Sequence, residues 1–259
     1  MNTRVEYYCI SHIGCERPEN QDTFVCVNEF NSDAKSQPVA RCSGSRGSSE
    51  PFFLGVFDGL GGGEYGEVAS LIAAKTAAET SITSNLPQTL GDMFYLSNKR
   101  ICDFRYEKAI GTVGATAAIL AFSPELILSA NIGDSRIFRL SGEDFIQISK
   151  NHVIQVGDMP KPTLSQHLGI PENERILRPF FMESDWVIGD KYLICSDGLT
   201  DLVSNEEFAF VLRNSGVKDC AEYLVANALE RGGVDNITLI VAEIKGEVEG
   251  YEDGKIRAL

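Results

Sequence analysis

The chain has 259 residues, enough for one sizeable core. Apolar residues make up 43% and charged residues 23%, an ordinary soluble composition, and no apolar run reaches the ~18 residues of a membrane span. A net charge of −14 repels nucleic acid and anionic lipid surfaces, and seven scattered cysteines, odd in number and without a C-x-x-C pair, argue against a disulfide framework or a thiolate zinc site. The first residues lack the basic start and apolar stretch of a secretory leader, so a cytoplasmic protein is predicted.

In chain order, β-branched and aromatic runs predict strands at 5–11, 23–27 and 52–57. Residues 31–50, rich in Ser, Gly, Asp, Lys and Arg, predict a long mobile connection. A helix is expected over 64–82, with Val68, Leu71, Ile72, Lys75, Ala78 and Ile82 at helical spacing. The brief segment between Gly91 and Gly111 predicts a shortened second helix. Strands follow at 115–122, 126–132, 135–140, 145–148, 186–188 and 192–195. Ser204 and Glu207 form a capping box for a helix through Leu212, a further helix spans 220–231 with Gly232 as its stop, and the last strand is 237–244. Strands arrive in runs rather than alternating with helices, which predicts an α+β layered sandwich of antiparallel sheets covered by helices.

The chemical signal lies in the aspartates at strand ends. Asp22 opens the second strand, and Asp58 ends the third and precedes Gly59. Asp134 follows Gly133, Asp197 precedes Gly198, and Asp235 opens the last strand. A single Asp-Gly at a strand end is a turn residue. Five such sites put carboxylates on one rim, where they repel one another unless cations lie between them. An all-oxygen donor set suits Mg²⁺ or Mn²⁺ rather than zinc. His12, His152 and His167 show no ligand spacing.

These residues sit in an ordered series: Arg17-Pro-Glu-Asn-Gln-Asp22, Val56-Phe-Asp-Gly-Leu-Gly-Gly62, Gly66-Glu-Val-Ala-Ser70, Gly114-Ala-Thr116, Ala130-Asn-Ile-Gly-Asp-Ser-Arg136, Ser196-Asp-Gly-Leu-Thr-Asp201 and Asp235-Asn-Ile-Thr238. The series resembles the PPM/PP2C metal-dependent protein phosphatases in their compact bacterial form. The resemblance implies a four-layer α-β-β-α sandwich in a single domain over 1–259, with a short C-terminal tail at 246–259. It implies hydrolysis of phosphoserine and phosphothreonine by a metal-bridging water, with two core Mn²⁺ or Mg²⁺ ions and room for a third. Asp58 would bridge the core ions, the Gly59 carbonyl would bind the second, and Asp197 and Asp235 would complete the first. Asp134 with Asp197 would hold the third. Asp22 would lie beside the second ion, Arg17 would grip the substrate phosphate, and Asn236 would support the site. The implied partner is a phosphorylated protein, the substrate of a Ser/Thr kinase, acted on by a monomer. A catalytically weak or inactive regulatory module of the same fold is the alternative. Two departures stand out. Leu60 occupies a position where many eukaryotic relatives carry histidine, and the flap region 151–169 is short.

Overall fold

The computed structural model describes residues 3–33, 37–60, 65–157 and 162–246. In β1 (Thr3–His12), Val5, Tyr7 and Cys9 are buried while Arg4, Glu6 and Tyr8 face outward, the alternation of a strand with one covered face. The next strands are β2 (Asp22–Cys26), β3 (Glu29–Phe30), β4 (Val39–Gly47) and β5 (Phe52–Leu60). Two helices follow, α1 (Gly66–Glu79) and α2 (Leu86–Lys108). Then come β6 (Gly114–Ala115), β7 (Ala117–Phe122), β8 (Ile127–Ile132), β9 (Arg136–Ser141) and β10 (Asp144–Gln147). The flap region supplies β11 (Val153–Ile154) and β12 (Thr163–Leu164), followed by β13 (Phe180–Ser184) and β14 (Lys191–Cys195). The chain continues through α3 (Asp197–Thr200), α4 (Asn205–Asn214), α5 (Val217–Glu230) and β15 (Ile237–Gly246).

Two antiparallel sheets result. One runs β10-β9-β14-β15-β1-β4, the other β13-β8-β7-β5-β2-β3 with β6 on the end of β5. Three apolar clusters mark the interfaces of four layers. Ala69, Ala73, Phe94 and Ile101 of α1 and α2 cover Phe53, Phe57 and Ile119 on the outer face of the seven-stranded sheet. Val5, Val56, Leu120, Tyr192 and Ile240 fill the space between the sheets. Phe208, Leu212, Leu224 and Ala228 of α4 and α5 cover Phe138, Leu193 and Leu239 on the other side. The expected α-β-β-α sandwich is therefore the observed one.

Several local expectations are corrected. The stretch 31–50 contains a nine-residue strand: β4 pairs with β1 from Arg4↔Gly47 to His12↔Val39. Its polar composition is that of an edge strand, held by backbone bonds on one side and kept from further pairing by Arg and Ser on the other. Helix α1 buries Gly66, Ala69, Ala73, Ala74 and Ala77 most fully, with Ile72 and Ala78 packed partly against the same core and Val68 and Leu71 half-buried. Small side chains let the helix lie close on the sheet. Helix α2 is not short but 23 residues long, capped by the Asn85 side chain accepting from Gln88 N at 3.2 Å and ended by left-handed Ala109. Gly91 costs an exposed helix only about 1 kcal/mol, which the buried Leu90, Met93, Phe94 and Ile101 outweigh. The strand expected at 186–188 lies earlier, as β13, while Trp186 donates from Nε1 to Ser123 O at 2.8 Å. The capping box at Ser204 is present as read. The tail beyond Gly246 and the flap positions 158–161 lie outside the described residues.

Candidate active site

Asp22 and Asp58 stand directly opposite each other at the end of the β2–β5 ladder. Like charges facing across a strand pair are unfavourable, so their placement needs a reason other than stability. Asp22 is 1% exposed. Burial pushes its carboxyl up to about 7, the Asp197 and Asp235 charges add to the rise, and a hydrogen bond from Ser196 opposes it. Asp58 is driven well above the usual carboxylate range by burial first, and then by Asp22, Asp197, Asp134 and Asp235. The five aspartates thus share one electrostatic neighbourhood.

Each carboxylate is set by its own backbone device. Asp58 N donates to Thr116 Oγ1 at 3.1 Å, Thr116 N donates to the Asp58 carbonyl at 2.8 Å, and Thr116 Oγ1 lies 2.6 Å from Ser135 Oγ. The loop that carries Asp134 is therefore tied to the strand that carries Asp58. Gly59 donates to the Gln21 carbonyl at 3.1 Å, and a Cβ there would lie 2.1 Å from the Gly66 carbonyl oxygen. Only glycine lets the start of α1 come this close. Asp197 follows the N-cap residue Ser196 and opens α3, where a negative charge is favoured. Asp201, at the C-cap of α3, donates its N–H to the Asp197 carbonyl at 2.8 Å.

Asn236 organises the approach. Its Oδ1 accepts from Gln21 N at 2.8 Å, and its Nδ2 donates to the carbonyls of Ile13 at 2.8 Å and Glu19 at 3.0 Å. Three bonds thereby pin the loop that bears Arg17. Arg17 is half exposed, and its Nη2 donates to Asp235 Oδ2 at 2.7 Å. Behind the carboxylates runs a buried ring of polar groups that sequence reasoning missed. Ser196 Oγ donates to Asp22 Oδ2 at 2.8 Å, and Thr238 N donates to Ser196 Oγ at 3.0 Å. Thr238 Oγ1 and Asn20 Nδ2 both donate to Ser11 Oγ, at 2.8 and 2.9 Å, and Asn20 Oδ1 accepts from Asp22 N at 3.1 Å. Ser196 and Thr238 lie inside quoted motifs, but a hydroxyl in a strand carries no sequence signal of its partner.

The three histidines engage backbone. His12 Nδ1 accepts from Gly14 N at 2.9 Å, His152 Nδ1 accepts from Gly133 N at 3.2 Å, and His167 Nδ1 lies 2.8 Å from the Leu168 carbonyl. Burial pulls all three below the usual imidazole range. Cys195 feels the Asp197 and Asp22 charges, but burial first pushes its thiol up to about 12, so it offers no thiolate. Oxygen is the donor type this rim presents, and its crowded carboxylates repel one another. A hard divalent ion fits both features. Among the described residues no three His, Cys, Asp or Glu side chains already form a compact chelate, and Asp235 is engaged by Arg17 instead.

A family model described as protein phosphatase 2C matches residues 28–230, and the chain belongs to that family. The matched span takes in Asp58, Asp134 and Asp197 and leaves Arg17, Asp22 and Asp235 outside it. The serine/threonine protein phosphatase PstP of Mycobacterium tuberculosis is 30% identical over 205 residues, covering 74% of this chain and 40% of that protein. This chain therefore spans well under half the length of that relative. Protein phosphatase PhpP of Streptococcus pneumoniae is 26% identical over 211 residues, covering 73% of this chain and 85% of that protein. Among solved structures, the catalytic domain of PstP in complex with two manganese ions superposes with a TM-score of 0.77 at 25% identity, covering 94% of this chain and all of that one.

Proposed function

We propose that the chain is a single-domain, metal-dependent phosphatase that hydrolyses phosphoserine and phosphothreonine in proteins. The observation that carries this reading is the register pairing of Asp22 with Asp58, inside a neighbourhood where Asp134, Asp197 and Asp235 all raise the Asp58 pKa. Asp58, Asp197, Asp235 and the Gly59 carbonyl would hold two core ions, Asp134 with Asp197 a third, and Asp22 would act through water. Such ions, when bound, supply a hydroxide-like nucleophile at neutral pH and neutralise phosphoryl charge.

The protein's own groups do the rest. Arg17 offers N–H donors at the mouth, matched to phosphoryl oxygens, and its Asp235 partner holds it near the rim when no phosphate is there. Asn236 fixes the loop under Arg17, and the Ser196–Thr238–Ser11–Asn20 ring fixes Asp22, so the backbone of the site is set before substrate binds while Arg17 has to leave Asp235. With Leu60 where a histidine acid would stand, the chain offers no imidazole at that position to protonate the leaving oxygen. The acidic surface favours phosphopeptides with basic flanks, consistent with protein substrates of a Ser/Thr kinase. No helix among the described residues is long and apolar enough to cross a membrane; a monomer working in the cytoplasm is part of this proposal.

Two measurements test the reading. Protein stripped with a chelator is expected to be inactive on a phosphothreonine peptide and to recover with Mn²⁺ or Mg²⁺. Full activity in chelator, or rescue by Zn²⁺ alone, would overturn it, and absence of turnover with every ion would favour the inactive regulatory module. Arg17→Ala is expected to raise KM more than it lowers kcat, on the order of tenfold against twofold, because the guanidinium binds ground-state and transition-state phosphate alike. Unchanged kinetics would make Arg17 merely the surface partner of Asp235.

A further inference from the structure

Three cysteines meet on a flank of the sandwich, at the end of β2 opposite Asp22. Cys9 on β1 faces Cys42 on β4 in register, and Cys26 ends β2 in the other sheet. Cys9 and Cys26 are buried in the core between the sheets, and Cys42 packs against that core while remaining partly exposed. The Cys26 thiol lies beside both others in this cluster, near enough for each to shift its ionisation. Cys42 also lines a cleft of about 480 Å³, together with Phe24, Glu29, Asn31 and Arg41. A row of sulfurs thus leads from solvent, through Cys42, into the core.

Register excludes one of the three pairs, and burial of both Cys9 and Cys26 leaves Cys42 as the only one of the three within reach of an oxidant in solvent. One step beyond either end of the β1–β4 ladder, Ser48 N donates to Thr3 O at 2.9 Å and Ile13 N donates to Pro38 O at 3.0 Å. In an antiparallel pair, hydrogen-bonded positions alternate with open ones. Counting in twos from either end makes Cys9–Cys42 a hydrogen-bonded pair. Its Cβ atoms are then roughly 5.5 Å apart, wider than the ~3.5–4.5 Å of a disulfide. Cys26 comes to Cys42 from the facing sheet, where no ladder holds the two apart.

We propose that Cys26 and Cys42 are an oxidation site that closes to an inter-sheet disulfide under a peroxide, with Cys42 as the entry thiol. The Cys42 sulfur attacks one peroxide oxygen, the O–O bond breaks, and a sulfenic acid and one water result. The Cys26 sulfur then attacks the Cys42 sulfur, the S–S bond forms, the S–O bond breaks, and a second water leaves with the remaining proton. Two thiols lose two electrons in all, and the peroxide takes them up as two waters. The Cys26 hydrogen bond and then burial push the Cys42 thiol up, so thiolate is scarce and closure is slow beside that of an activated cysteine. The bond staples the edge strand β4 to β2, the strand that begins at Asp22.

The test is a peptide map. Reduced protein is treated overnight with hydrogen peroxide in chelator, digested without reduction and analysed by mass spectrometry, alongside thermal melts. A Cys26–Cys42 crosslink is expected, reversible by dithiothreitol, with the melting midpoint raised by on the order of 5 °C. Cys26→Ser and Cys42→Ser each abolish the crosslink and the shift, while Cys9→Ser keeps both. Free thiols at 26 and 42 after oxidation, a crosslink that includes Cys9, or an unchanged midpoint overturns the proposal. Should a serine variant fail to fold, the wild-type map decides by itself.

Discussion

Asp58→Asn is expected to lower turnover on a phosphothreonine peptide by at least about a hundredfold, roughly 3 kcal/mol of barrier, while raising the melting midpoint of the metal-free protein. The loss follows from its place opposite Asp22 and amid Asp134, Asp197 and Asp235. An amide there removes one full charge from the position best placed to bridge two ions. The gain in stability follows from the same crowding. Without ions, the folded protein must either keep Asp58 ionised against four like charges or hold a proton there that the unfolded chain would release. Asp22 shows the sign of the pH effect. An ordinary aspartate ionises near 3.8, whereas Asp22 keeps its proton to about 7. Between those values the unfolded chain loses a proton that the folded one retains, so metal-free stability falls as pH rises through that window. Below it the penalty is absent. The backbone bonds between Asp58 and Thr116 do not involve the carboxylate, so the strand persists in the variant. Melts in chelator at pH 5 and pH 8, together with turnover in Mn²⁺, check both halves. Near wild-type turnover, or a lower metal-free midpoint, would remove Asp58 from the bridging position.

The aspartates were legible because strand and breaker are both strong local signals. Phe52-Phe-Leu-Gly-Val-Phe57 reads as a buried strand and Asp58-Gly59 as its end; the strand in fact runs on to Leu60, with Asp58 at the last pair of the β2–β5 ladder. That the rims coincide is a matter of sheet order, which came from the ordered series of motifs rather than from periodicity. What escaped reading is held by partners distant in sequence. Strand β4 has little apolar content of its own and is a strand because β1 offers it a backbone edge. Helix α1 looked amphipathic on its larger residues, yet the sheet surface selects the alanine face. The hydroxyl ring behind Asp22 joins residues from positions 11 to 238, and no local pattern encodes such a contact. Arg17 and Asp235 were each picked out through the motif series, whereas their pairing across 218 positions was not.

Asp134→Ala is expected to keep the fold and the two core ions but to lose most activity, and wild-type activity is expected to keep rising at Mn²⁺ concentrations well above those that fill the core. The turn around Asp134 is built by neighbours. Gly133 takes a φ of 100°, and a Cβ there would lie 2.6 Å from Thr116 Cβ. His152 N donates to the Gly133 carbonyl at 2.9 Å, while Gly133 N donates to His152 Nδ1 at 3.2 Å. Asn131 adds two bonds to Lys150, donating from Nδ2 to its carbonyl at 2.8 Å and accepting from its N–H at 2.9 Å. The backbone that presents Asp134 is thus braced by the start of the flap, so removing the carboxylate leaves its support in place. Electrostatically, Asp134 is one contributor among four to the Asp58 shift. An ion held by Asp134 and Asp197 alone would have two protein charges and otherwise water, which places its affinity at roughly millimolar. Calorimetric Mn²⁺ titration of wild type and variant, run beside turnover, separates this from a purely structural role. The variant should lose a weak binding step and keep the tight ones. Equal ion numbers, equal affinities and normal turnover would instead make Asp134 a turn residue that merely precedes Ser135.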